Sequence, residues 1–227
     1  MINKLPKWVE VGGFLLALNA GFINAVGLLA FKHQAVSHLT GTTTFLSLAI
    51  ANSNTQEIVH LLLIMASFII GAAYSGLIIG NKALKLGRRY SFALMTESAL
   101  LFMSMYMLNH GSLLGQFFAS AACGLQNAMT TTYSGAVVRT THVSGLFTDL
   151  GVALGLRFRG HKTDSRKIVL YCILISGFIV GGVVGSLLFA EFMFSAILAP
   201  CLLTAFIAVS HWVFLQNQVR GKVPLLR

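Results

Sequence analysis

Long apolar runs, separated only by short basic clusters, set the limits on what this chain can become. At 1.5 Å of rise per residue, about 20 apolar residues in a helix match a hydrocarbon core ~30 Å thick. Six stretches meet that length, at about 8–31, 57–80, 90–109, 111–131, 167–190 and 192–215. A water-soluble helical core would need polar outer faces on the same helices, and these have none. The charged fraction agrees: 10% of the 227 residues, against ~25% in an ordinary soluble domain. Mean hydropathy is +0.80. The chain is therefore expected to be all-α, a polytopic membrane helix bundle.

A net charge of +10 suggests a nucleic-acid partner, but the basic residues flank apolar spans, where membrane topology accounts for them. Cys123, Cys172 and Cys201 lie within apolar segments without CxxC spacing, which points to free thiols rather than a disulfide frame or zinc site. The run from Trp8 to Phe31 is too long for a signal-peptide core and reads as a retained helix.

Two further segments, about 36–51 and 142–157, are apolar but short and rich in hydroxyls. If both enter and leave the membrane on one side, and both termini are cytoplasmic, every Lys and Arg except Lys32 falls on the cytoplasmic side. If both crossed, the cluster from Lys82 to Arg89 would move outside. Six spans and two re-entrant helical segments are therefore expected.

The chain also matches itself. Gly21-Phe-Ile-Asn24-Ala25 parallels Gly124-Leu-Gln126-Asn127-Ala128; His38-Leu-Thr40-Gly41 parallels His142-Val-Ser144-Gly145, with Thr44 against Thr148. Phe68-Ile-Ile-Gly71 parallels Phe178-Ile-Val-Gly181. The matches keep their order, which divides the chain into repeats at 1–110 and 111–227. With three spans per repeat, the second must insert upside down relative to the first. This 3+3 inverted topology places a site near the midplane where the halves meet.

The paired His-x-Thr/Ser-Gly motifs carry the chemistry. A helix broken at membrane depth frees backbone groups that only protein or trapped water can satisfy. If each motif opens a half-helix, its N-terminus points positive partial charge inward and favours an anion or carboxylate. The substrate-binding candidates are His38, Thr40, Gly41, His142, Ser144, Gly145 and Thr148, with Asn24, Asn127 and Gln126 on the preceding helices. The bland alternative for the hydroxyls and amides is that they cap and staple helices. Ionisable groups at depth are expensive and usually functional, so His38, His142, Glu97 and Asp149 are the proton-coupling candidates. Glu97 has no counterpart in the other half; it can accept a proton or pair with His38 or His142. Small residues every fourth position, such as Gly177, Gly181 and Gly185, make faces for close helix packing.

At these motifs the chain resembles the YoaK-like small permeases, a bacterial family catalogued as a domain of unknown function. The resemblance covers nearly the whole chain and rests on Gly21 to Ala25, Leu39-Thr40-Gly41, Gly124 to Ala128, and Val143-Ser144-Gly145-Leu-Phe-Thr148-Asp149. Family members commonly carry Asp where this chain has Asn24, and Asn-Met-Thr-Gly-Asn where it has His38-Leu-Thr-Gly-Thr42. Where that Asp serves ion coupling, His38 or Glu97 must take its part here. The resemblance implies a multi-pass protein of the bacterial cytoplasmic membrane with a transport role.

The expectation is a permease for a small, anionic solute, with proton coupling through the candidates above. A passive channel, a non-transporting assembly or sensor protein, and an intramembrane enzyme are the competing classes. No HExxH, GxSxG or paired-acid signature occurs, so catalysis, cofactor and metal are not expected. The expected partners are the lipid bilayer and the solute, with room for a homo-oligomer and none for nucleic acid.

Overall fold

The computed structural model describes residues 8–30, 38–80, 87–134, 139–219 and 221. Within them lie eight α-helices: α1 Trp8–Ala30, α2 Leu39–Ala51, α3 Thr55–Ile79, α4 Arg88–Asn109, α5 Leu114–Ser134, α6 Val143–Phe158, α7 Ser165–Phe192 and α8 Leu198–Val219. A 3-10 segment, Met193–Ile197, turns α7 into α8. Pro200 sits in the first turn of α8, where a missing N–H costs nothing. Lys4, Lys7, Lys32, Lys82, Lys85, Arg220, Lys222 and Arg227, which entered the charge count, lie outside the described residues.

Among the described residues four stretches are long and apolar enough to cross a membrane: Val9–Ala30, Thr55–Ile79, Arg88–Asn109 and Ser165–Gln218, the last covering α7 and nearly all of α8. The expected span at 111–131 is the exception. Its helix, α5, has 21 residues, about 31 Å, but Gln116, Ser120, Gln126, Asn127 and Thr130 lower its hydropathy. Most of α5 is buried between other helices, and a helix wrapped in protein need not present an apolar surface to lipid. The two short segments emerge as α2, 13 residues, and α6, 16 residues. At about 20 and 24 Å they are shorter than the hydrocarbon core.

The broadest helix contacts pair α1 with α7 and α3 with α5; α4 packs on α5 and α8, while α2 lies on α3 and α6 on α7. Glycine makes the first two contacts possible. A Cβ on Gly21 would overlap the Phe178 carbonyl, and one on Gly181 that of Leu18. Across the other pair, a Cβ on Gly124 would overlap the Phe68 carbonyl, and one on Gly71 that of Ala121. Backbone against backbone is the close packing that small residues permit between apolar helices. Ser120 Oγ adds a hydrogen bond to Ile64 O at 2.9 Å, and Ser98 Oγ one to Cys201 O at 2.9 Å.

Two apolar clusters form the interior. One gathers Val9, Ala17, Leu94, Met129 and Leu174; the other gathers Phe22, Leu101, Cys123, Phe189 and Cys201. Asn19 on α1 and Glu97 on α4 fall between the two, forming a polar layer with Gln126 of α5. The perimeter is apolar: Leu77 is 83% exposed and Leu187 65%. In water such a surface would drive aggregation, whereas against lipid tails it carries no penalty.

Candidate functional site

The first turns of α2 and α6 meet at one cavity of about 510 Å³. His38 is the N-cap of α2 and His142 that of α6, and neither side chain makes a cap hydrogen bond. With the caps unfilled, the first backbone N–H groups of both helices lack intrahelical partners. The glycine three residues on explains where each ring goes. A Cβ at position 41 would stand 2.9 Å from His38 Nδ1, and one at position 145 would overlap the His142 ring. Both imidazoles therefore fold back over the first turn of their own helix, which only glycine leaves room for.

His38, Thr40, His142 and Ser144 line the cavity together with Asn24 of α1 and Asn127 of α5. Asn127 Oδ1 is buried without a hydrogen-bond partner among the described residues. Phe68 and Phe178, from the middle of α3 and α7, supply apolar walls. With Leu39 and Val143 of the two motifs, Thr131, Arg139 and Thr141 complete the lining. Phe68, Phe178, Thr131, Arg139 and Thr141 were not among the site residues expected from the sequence; the signal for Arg139 and Thr141 was their position just before the His142 motif, where one cation and two hydroxyls precede the helix. Among the described residues the lining thus holds one guanidinium, two imidazoles, two amides, several hydroxyls and two helix N-termini, and no carboxylate.

The remaining candidates stand elsewhere. Thr148 Oγ1 donates to Ser144 O at 3.0 Å along its own helix and is exposed. Thr44 does the same to Thr40 O at 3.1 Å, the common fate of a helical threonine. Asp149 is exposed on α6, a turn beyond Gly145 and outside the cavity lining.

Gln126 points away from its neighbour Asn127. Adjacent helical residues diverge by about 100°, so one amide faces the cavity and the other enters the buried polar layer. Asn19 Nδ2 donates to Gln126 Oε1 at 3.0 Å and to Glu97 Oε1 at 3.0 Å. Gln126 Nε2 donates to Leu16 O at 2.9 Å and to Thr140 Oγ1 at 3.1 Å. Glu97 is fully buried and is bonded to Asn19, not to His38 or His142. Among the described residues no group of His, Cys, Asp and Glu is placed to hold a metal ion.

A second groove of about 430 Å³ lies among α1, α4, α5 and α8, walled mainly by apolar residues such as Leu16, Leu94, Met129 and Phe206. It shares none of the polar lining of the first.

The model of the family described as "Protein of unknown function (DUF1275)" matches residues 12–210. No curated protein and no solved structure matches the chain.

Proposed function

We propose that the chain, which belongs to the DUF1275 family, is a membrane permease for a small anionic or carboxylate-bearing solute. One observation carries this reading: the N-termini of α2 and α6, each capped by a histidine folded over glycine, line a single cavity with Arg139 and, among the described residues, no acid. Unbonded N–H groups at a helix start, with the macrodipole behind them, favour negative charge. A volume of about 510 Å³ falls within the 300–1,000 Å³ typical of small-ligand sites. Asn24, Asn127, Thr40 and Ser144 would hydrogen-bond the solute, and Gly41 and Gly145 would set the histidine rings.

Alternating access requires two halves that rock against each other, and the packing supports an inverted repeat. Gly21 meets Phe178 and Gly124 meets Phe68; Gly181 meets Leu18 and Gly71 meets Ala121. Each contact joins one half to the other and recurs with the halves exchanged, as a two-fold axis in the membrane plane would require. We take α2 and α6 as re-entrant, the other six helices as spanning, and both termini as cytoplasmic. The protein breaks no bond in this reading and needs no cofactor.

The test is uptake of a panel of radiolabelled small carboxylates by proteoliposomes, with and without an imposed pH gradient. Saturable uptake above protein-free vesicles, reduced at least tenfold in Arg139→Gln, is expected. Uptake indistinguishable from empty vesicles for every solute would end the permease reading. Uptake that equilibrates but never accumulates under a gradient would mark a passive channel.

A further inference from the structure

The polar layer contains two buried oxygens that the permease reading leaves unexplained. Glu97 Oε2 and Asn19 Oδ1 have no hydrogen-bond partner among the described residues, and both side chains are 0% exposed. They belong to groups already joined by one bond, Asn19 Nδ2 donating to Glu97 Oε1 at 3.0 Å. Without a proton on Glu97, both orphan oxygens are acceptors and neither meets a donor. One proton on Oε2 turns the carboxyl into a donor toward Oδ1. That second bond would close the ring of an acid–amide pair and satisfy both groups together. It also removes a charge that the apolar surroundings could not solvate.

We propose that Glu97 and Asn19 form an exchangeable one-proton site, linked to the cavity through Gln126 and Thr140. The step is an O–H bond forming at Glu97 Oε2 as an O–H bond of hydronium breaks to leave water, and the reverse on release; no oxidation state changes. The link runs from Asn19 to Gln126, and from Gln126 Nε2 to Thr140 Oγ1 at 3.1 Å. Thr140 is followed by Thr141 and preceded by Arg139, which both line the cavity. Movement of that segment by a bound anion therefore pulls on the amide that shares Asn19 with Glu97. Among the described residues, the titratable groups that neighbouring helices bring near Glu97 are the buried thiols Cys123 of α5 and Cys201 of α8, the latter bonded to the carbonyl of Ser98; α1 contributes the Asn19 amide. The coupling of this proton to transport rests on the permease reading, whereas the proton site itself does not.

Infrared spectroscopy of the full chain in lipid vesicles tests the site without any solute. A C=O stretching band of a protonated carboxyl is expected, absent from Glu97→Gln, insensitive to added sodium, and lost as pH is raised. Glutamate labelled with ¹³C assigns the band to Glu in the unaltered protein, should Glu97→Gln fail to fold. The band is expected to shift in Gln126→Leu, reporting the link toward Thr140. No band assignable to Glu97, a band removed by sodium chloride, or one unchanged at every pH where the protein stays folded would overturn the exchangeable proton site. A band indifferent to Gln126→Leu would overturn the link. Solute uptake failing while the band behaves as expected would strike the permease reading alone.

Discussion

His38 and His142 hold the same place on two different helices: each is an N-cap, each ring lies over the glycine three residues ahead, and both line one cavity. The tighter of the two sites is the second. A methyl at position 145 would overlap the His142 ring, whereas one at position 41 would stand 2.9 Å from His38 Nδ1. Gly145→Ala is expected to displace its imidazole and weaken solute binding more than Gly41→Ala. Affinity measured alongside thermal stability checks this, since the fold should survive both changes. Equal affinity for Gly145→Ala and the unaltered protein would mean that the His142 ring takes no part in binding.

The crossings of α1 with α7 and of α3 with α5 leave no room for a side chain at Gly21, Gly71, Gly124 or Gly181. Alanine at any of the four must push a backbone aside, and forced overpacking typically costs 1–3 kcal/mol. Gly76 of α3 has open space where a Cβ would go. Gly76→Ala should therefore be neutral or gain up to about 1 kcal/mol of helix propensity. Melting temperatures in detergent, compared across the five variants, separate the two classes.

Asn19 is the hinge of the polar layer, since one amide group serves both Glu97 and Gln126. Asn19→Leu removes the donor to both and strands two buried acceptors. A loss of about 1–3 kcal/mol for each stranded group is expected. In a double-mutant cycle Asn19→Leu and Gln126→Leu should couple by 0.5–3 kcal/mol. Reversible denaturation in mixed micelles gives both numbers, and additivity within error would show that the bond between these two amides is not part of the layer's stability.

Topology can be read with single cysteines in a background lacking Cys123, Cys172 and Cys201. Re-entrant α2 and α6 place Ser53 and Ser112 outside and Thr163 inside. Ser53→Cys and Ser112→Cys should then react with an impermeant maleimide on intact cells, and Thr163→Cys only after lysis. Protection of Ser53→Cys and Ser112→Cys in intact cells would mean that α2 crosses the membrane, and reaction of Thr163→Cys in intact cells would mean that one of α2 and α6 crosses and the other does not.

Much of this organisation was legible because membranes punish polar groups and large side chains at crossings. Gly21, Gly71, Gly124 and Gly181 announced themselves as a pattern, and the two His-x-x-Gly motifs as breaks in apolar sequence. Gln126 was misleading because it is adjacent to Asn127, and adjacency on a helix means different faces. Asn19 gave no signal: its counterpart in the second half is Ala122, so self-comparison passes over it. Glu97 also lacks a counterpart, and its partner could be found only once α1 and α4 were side by side. Arg139 was legible as a loop cation, and its place at the cavity required the fold of the segment before α6.

The cavity between the two histidine caps is where the account stands or falls. Thermal stability of the detergent-purified chain can be followed against a panel of small carboxylates and inorganic phosphate, for the unaltered protein and for His38→Ala with His142→Ala. At least one of these anions is expected to raise the melting temperature of the unaltered protein and leave the double variant unmoved. An equal rise in both proteins, or no rise with any anion, would contradict it.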